Sequence, residues 1–269
     1  MMNMMKSNKY KTNYTNSINV KDNTHTWIIN KSNCKNAEIV LTLNKITDNE
    51  RKLNLNYGTD YTVAYTNNVN AGTATLTVTG IINYKDQNSI TYTINPKPVS
   101  KAIPTIVTPE FIYNGKRQET DVTMYDPDRY NPDTNTNGVS MAKGEGKDYV
   151  LTYSDHIDAH DKNDPLAPKV TITGIVNYTG SFTLTYTIHP KEIYAVWQDK
   201  DRFVYNFRQQ APYATATTGV TSEAGEEELA VIITSQNTDP AYYTSVASIA
   251  QIQGGRKRIE NYVLMNITK

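Results

Sequence analysis

Two blocks of this chain repeat each other. Gly58-Thr59-Asp60-Tyr61-Thr62-Val63-Ala64-Tyr65 returns as Gly146-Lys147-Asp148-Tyr149-Val150-Leu151-Thr152-Tyr153, 88 residues later. Leu76-Thr77-Val78-Thr79-Gly80-Ile81-Ile82-Asn83-Tyr84 returns as Val170-Thr171-Ile172-Thr173-Gly174-Ile175-Val176-Asn177-Tyr178, 94 residues later. Ile90-Thr91-Tyr92-Thr93-Ile94-Asn95-Pro96-Lys97 returns as Leu184-Thr185-Tyr186-Thr187-Ile188-His189-Pro190-Lys191, again at 94. The spacing widens inside one stretch, between Tyr153 and Val170, and loops absorb insertions cheaply. A third, more divergent copy is marked by Tyr205-Asn206-Phe207-Arg208-Gln209-Gln210, which echoes Tyr113-Asn114-Gly115-Lys116-Arg117-Gln118, and by Asn261-Tyr262. A chain of 269 residues with this self-similarity folds as like units in series. The units are read as residues 16–95, 96–190 and 191–269, behind a disordered tail over 1–15.

Each unit reads as β throughout. Leu76-Thr77-Val78-Thr79, Val170-Thr171-Ile172-Thr173 and Ile90-Thr91-Tyr92-Thr93-Ile94 alternate apolar with polar, the period of a strand with one buried face. Tyr61, Val63 and Tyr65 therefore share a face, as do Tyr149, Leu151 and Tyr153. Turn residues separate the strands at Asn67-Asn68, Gly80 and Asn114-Gly115. Residues 223–233 come closest to a helical pattern and read instead as an acidic turn leading into a strand from Leu229 to Ile233. The chain has 20 Tyr against 4 Phe; tyrosine, like Thr and Val, suits a pleated surface that is only half buried. Several short strands in about 90 residues predict a β-sandwich. Asn95-Pro96-Lys97-Pro98 and His189-Pro190-Lys191 end the first two units, and proline fixes φ while pushing its predecessor toward extended geometry. The junctions are thus short and stiff. The expected fold class is all-β, three tandem β-sandwich domains in an extended rod. The first two units place Ile94 and Ile188 ten residues beyond the Asn-Tyr tyrosine. The third lacks that length, so Tyr262 to Thr268 is expected to pair as its closing strand.

Charge and composition exclude several function classes. Lys+Arg and Asp+Glu both number 27, so the basic excess that nucleic acid requires is missing. No apolar run approaches the ~18 residues of a membrane span, and Met1 to Tyr14 carries no apolar stretch of a secretory signal. If the parent protein is secreted, its signal lies outside this sequence. Cys34 is the sole cysteine, which rules out an internal disulfide and a multi-thiolate zinc site. The four histidines, His25, His156, His160 and His189, accompany no nucleophile motif such as G-x-S-x-G. Gly144-Glu145-Gly146 is a fragment of a phosphate-loop pattern and reads more simply as the turn before Asp148-Tyr149. No catalytic residue and no cofactor site is assigned. The chain is read as a monomer and not as an enzyme.

Two loops are candidate cation sites. Asp155, His156, Asp158, His160 and Asp161 place carboxylates and imidazoles in one loop, a donor set suited to a divalent cation. The competing reading is a solvated loop of Asx-turns, since Asp and Asn bond their own backbone two residues on. Asp133, Asn135 and Asn137, followed by Gly138, match the opening of a calcium loop, but the twelfth position is Gly144, not the bidentate acid. A plain inter-strand loop is the preferred reading there. Trp27, Trp197 or exposed tyrosines could stack on sugar rings; strand packing is favoured.

Gly-x-Asp-Tyr-x-Val-x-Tyr, then Asn-Asn-Val-Asn-Ala-Gly-Thr-Ala-Thr, then Gly-x-x-Asn-Tyr resembles the bacterial immunoglobulin-like surface repeats, densely over residues 57–96 and 145–191. The third unit, with Tyr205-Asn206, Gln210-Ala211-Pro212 and a late Asn-Tyr, is similar to a sister type. The resemblance implies immunoglobulin-like sandwiches in tandem within adhesin-like or wall-attached proteins, hence an extracellular or cell-surface location. It implies a structural spacer or, alternatively, an adhesin module that binds glycan or a host or matrix protein. The second unit departs from the pattern: Asp158-Ala159-His160 stands where the first has Asn70-Ala71-Gly72, and an insertion follows.

Overall fold

A computed structural model describes residues 18–21, 25–35, 38–48, 50–198, 203–208, 210, 212–223, 225–233 and 244–268, with side chains from residue 45 onward. The tail expected over 1–15 lies outside the described residues, as do the side chains of His25, Trp27 and Cys34. The chain is all-β. Strands are joined by turns and by two short 3-10 turns, Val99–Lys101 and Ile259–Asn261, with no α-helix among the described residues. It divides into two compact units, Met1–Thr105 with Thr123–Leu151 and Ile172–Phe182, and Ile106–Val122 with Thr152–Thr171 and Thr183–Lys269.

In the first unit, Ile18–Lys21, His25–Lys35, Glu38–Asp48 and Leu53–Leu55 form an antiparallel meander. Tyr61–Thr66, Gly72–Gly80 and Gln87–Ile94 form a second, in register Tyr65↔Leu76 and Leu76↔Ile90. The period-two pattern places one face inward. Tyr61 is buried and Val63 and Tyr65 are half-buried, while Thr62, Ala64 and Thr66 are exposed. Ala74, Leu76, Tyr92 and Ile94 form one buried cluster, and Ile46, Tyr61 and Val78 another; Val63 and Ile90 pack against both. Complete burial of Leu76 alone contributes about 1.5–3 kcal/mol.

The two halves of the repeated motif meet in space. The carbonyl of Asp60 in Gly-x-Asp-Tyr accepts the Ile81 N–H at 2.9 Å, and Asp148 accepts Ile175 N–H at 3.0 Å. Each Gly-x-x-Asn-Tyr segment is then a tight turn, closed by Tyr84 N–H to Ile81 O at 3.1 Å and by Tyr178 N–H to Ile175 O at 3.0 Å. The glycine is required by close approach: a Cβ on Gly80 or Gly174 would stand 2.9 Å from the Cβ of Tyr84 or Tyr178. The residue before Asn is left-handed in both turns, Ile82 at φ 58° and Val176 at φ 60°. Both are β-branched, a conformation such residues adopt at a cost. Lys97–Pro98 runs parallel to Tyr178–Thr179, and Ile103–Ile106 joins Val122–Asn131 and Thr136–Ser140 in a three-stranded sheet.

The second unit holds the antiparallel pair Glu228–Ile233 and Ala247–Gln253. One buried cluster there is Ala195, Ala214 and Ala247, with Trp197, Val231, Ile233 and Leu264 packed against them; Tyr113, Tyr186, Ile188 and Tyr262 are buried as well. Glu110–Ile112 runs parallel to Thr187–His189. Lys191–Tyr194 runs parallel to Tyr262–Met265 in register Lys191↔Tyr262, the counterpart of Lys97↔Tyr178. The expected closing strand therefore has two parts. Tyr262–Met265 pairs with the entry strand Lys191–Tyr194. Only beyond it does Ile267 O accept Ala247 N–H, at 2.8 Å, and Thr268 bridge Val246 antiparallel. The acidic turn expected over 223–233 is a short hairpin, Thr221–Ser222 with Gly225–Glu226, ahead of the strand Glu228–Ile233.

Candidate functional site

The three Asn-Tyr pairs that mark the repeats, ending in Tyr84, Tyr178 and Tyr262, direct the tyrosine hydroxyl at a buried carboxylate. In the first unit Tyr178 donates to Asp126 at 2.7 Å, and Tyr84 points to Asp48 at 3.5 Å, the long end of the range. In the second, Tyr262 donates to Glu227 at 2.5 Å. The carboxylates are fully engaged. Asp126 also accepts Lys97 Nζ and the Asp128 N–H, Asp48 accepts the Glu50 and Arg51 N–H groups, and Glu227 accepts Tyr113 Oη at 2.7 Å and Arg256 N–H at 3.0 Å. A carboxylate loses its hydration on burial, and these donors replace it. Burial, then the adjoining carboxylate, pushes the Tyr178 and Tyr262 phenols well above their ordinary value. Burial alone would raise Asp126; the Lys97 ammonium and Tyr178 hydroxyl outweigh it and hold the acid below the usual range.

The asparagine of the pair reaches into the preceding repeat. Asn177 accepts Ala71 N–H on Oδ1 at 2.8 Å, and its Nδ2 donates to Asn70 Oδ1 at 2.9 Å. Asn261 does the same in the second unit: Oδ1 accepts Ala159 N–H at 2.7 Å and Nδ2 donates to Asp158 at 3.0 Å. The side-chain amide has one acceptor and two donors, so it matches an Asx side chain followed by a free N–H. Asn70-Ala71 and Asp158-Ala159 are the segments that align in the repeat, so one clasp occurs twice.

One member of the cluster suspected of binding a cation, Asp158, belongs to this clasp. Asp158 is buried and takes the Arg256 guanidinium through Nε and Nη2, with Arg258 Nη1 at 3.4 Å. Its oxygens are committed. Burial raises Asp158, but Arg256 and Asn261 more than reverse this and hold it low. The neighbours have partners of their own: Asp155 lies 3.4 Å from Lys169 and His160 3.4 Å from Asp164, and Asp161 accepts the Asn163 N–H at 2.9 Å in an Asx-turn. Asp155, His156, Asp158 and His160 line one cleft of about 580 Å³, together with Arg117, Glu119, Tyr153, Arg256 and Arg258. Neither ring nitrogen of His156 has a hydrogen-bond partner, and Glu119 lies 3.6 Å away. In the other loop, Asp133 and Asn135 lie in the turn between Val122–Asn131 and Thr136–Ser140, whereas Asn137 is already in a strand opposite Tyr130. Asn135 Oδ1 accepts the Tyr130 hydroxyl at 2.8 Å. Among the described residues, no three His, Cys, Asp or Glu side chains converge on a metal position.

Trp197 packs on the alanine cluster of the second unit, and its Nε1 donates to Asn266 O at 2.9 Å. Sequence reasoning noticed the Asn-Tyr pairs as repeat markers without giving the asparagine a task. It did not single out Asp126, Glu227 or Arg256. Chain order could not pair Asp158 with Arg256, since 98 residues separate them. Compared with known protein families, curated proteins and solved structures, the chain matches none.

Proposed function

We propose that this chain is a non-enzymatic spacer: three tandem immunoglobulin-like β-sandwich repeats, forming an extended rod, in a bacterial cell-surface or secreted protein, where they project an adhesive or functional region. The reading is carried by one observation, the repetition of the same junction. At each, a proline stands at the boundary, the next repeat enters parallel to its own Asn-Tyr strand (Lys97↔Tyr178, Lys191↔Tyr262), and the asparagine clasps the previous repeat's Asx-Ala loop. A spacer needs junctions that resist bending, and hydrogen bonds on both sides of a stiff Pro link supply that. Small-angle scattering on the whole chain tests it. The radius of gyration should lie well above the roughly 18 Å of a compact globule of this length; a value near that figure would overturn the rod.

A binding module is the second reading. It draws on the segment Phe203–Phe207, where Phe207 is 83% exposed and packs at a tilt of 54° against Tyr205 with ring centroids 4.5 Å apart. Exposed aromatic rings of this kind suit the apolar face of a sugar. Specific retention on a glycan array, lost on Phe207→Ala, would favour this reading over the spacer.

A further inference from the structure

We propose that the turn carrying Asn83 is the unpaired half of a third clasp, a docking site for the Asx-Ala loop of another repeat of this kind. The proposal rests on reading the chain as tandem repeats. Its observation is that the first repeat presents Asn83 as the second presents Asn177. The glycine turn closes with the same hydrogen bond in both. The Asp60 and Asp148 carbonyls hold it from the same side. Ile82 and Val176 share the left-handed φ, and Gly80 and Gly174 the same close approach to tyrosine. What differs is the company. Asn177 is half-buried and Asn261 fully buried beneath their loops, whereas Asn83 is exposed and its side chain hydrogen-bonds no described residue.

The chemistry of the occupant follows from the two filled clasps. It must offer a side-chain oxygen to the asparagine NH2 and, on the next residue, a backbone N–H to the asparagine oxygen. Asn70-Ala71 and Asp158-Ala159 both do so. Proline at the second position would remove the donor. Alanine keeps the contact close: Ala159 is 6% exposed beneath its clasp. Asx-Ala opposite Asn is thus a pairing rule between successive repeats. The β-branched residues Ile82 and Val176, strained at φ near 60° beside Asn83 and Asn177, are consistent with a turn held for docking rather than for the comfort of its own backbone.

The test extends the full chain at its N-terminus by a second copy of residues 16–95, and in a parallel protein by residues 96–190, so that either Asn70-Ala71 or Asp158-Ala159 is tethered near Asn83. The readout is hydrogen exchange and chemical shift of the Asn83 side-chain amide by NMR. Docking should slow its exchange by about tenfold or more, as expected for two added hydrogen bonds, and the change should vanish when the added copy carries Ala71→Pro or Ala159→Pro. An Asn83 amide that is unchanged in both extended proteins overturns the inference. The Asn177 amide, read in the same spectra, separates the two failures. If Asn177 is protected and Asn83 is not, the third clasp falls and the tandem reading stands. If neither is protected, the clasp is wrong throughout.

Discussion

Replacing Asp158 by alanine tests the clasp where it is most heavily bonded. The carboxylate is buried and holds Arg256 through two nitrogens, Arg258 at its edge and the Asn261 amide. A buried charge-assisted bond contributes about 1.5–3 kcal/mol, and an orphaned buried donor costs about 1–3 kcal/mol. The Arg256 side chain is 34% exposed, so it turns to water and recovers much of its loss. Asn261 is fully buried and cannot. Its stranded Nδ2 and the lost guanidinium bonds together give a cost of about 3 kcal/mol, which at this size lowers Tm by roughly 10 °C. Asp158→Asn keeps an acceptor for Asn261 and should lose about half as much. Calorimetry of the whole chain reads the effect. Adding Asp158→Ala to Arg256→Ala should cost less than the sum of the two, because both remove the same interaction. Calcium should not raise Tm, since the oxygens it would need are already taken. A drop of a degree or less for Asp158→Ala, or strict additivity with Arg256→Ala, would refute the reasoning.

Other perturbations follow from the same contacts. Gly174→Ala should destabilise by about 1–3 kcal/mol in urea unfolding, because its Cβ would meet the Val99 Cβ at 2.8 Å and the Tyr178 Cβ at 2.9 Å. Val176→Asn should stabilise by about 1 kcal/mol, since Val176 is exposed and left-handed, and it should raise the urea midpoint. Stability should also depend on acid. Asp126 and Asp158 are held below their ordinary values in the folded chain. Their contribution is therefore present above the unfolded value of about 4 and lost as pH falls through the lower folded values. The urea midpoint should be flat above about pH 5 and fall below it, and Asp126→Asn combined with Asp158→Asn should flatten the fall.

Much of the fold was legible because period-two alternation and repetition are local signals. The strands Tyr61–Thr66 and Gly72–Gly80 lie where the Tyr-Thr-Val-Ala-Tyr and Leu-Thr-Val-Thr patterns put them, with the expected residues inward. The turn at Asn114-Gly115, with Asn114 Oδ1 accepting the Lys116 N–H at 2.9 Å, is the Asx-type turn that Asn-Gly foretells. The suspected cation loop shows the limit. Its carboxylates and imidazoles are adjacent in sequence, which looks like a ligand set. Yet side chains that are close along a loop need not point together, and one of them was claimed by a residue 98 positions away.

The sequence by itself determined that this protein is all-β, which of its segments recur, which residues turn the chain and which face of a strand such as Tyr61–Thr66 is apolar. Those properties depend on residue type and on neighbours a few positions away. Only the tertiary structure decided that the Asn-Tyr markers are working parts, tyrosine to a buried carboxylate and asparagine to the previous repeat. It also decided that Asp158 is spent on Arg256 and that the closing strand first pairs parallel with Lys191–Tyr194. The reason is physical. A carboxylate or an amide carries the same donors and acceptors wherever it stands, and only burial beside a particular partner fixes which of them it uses.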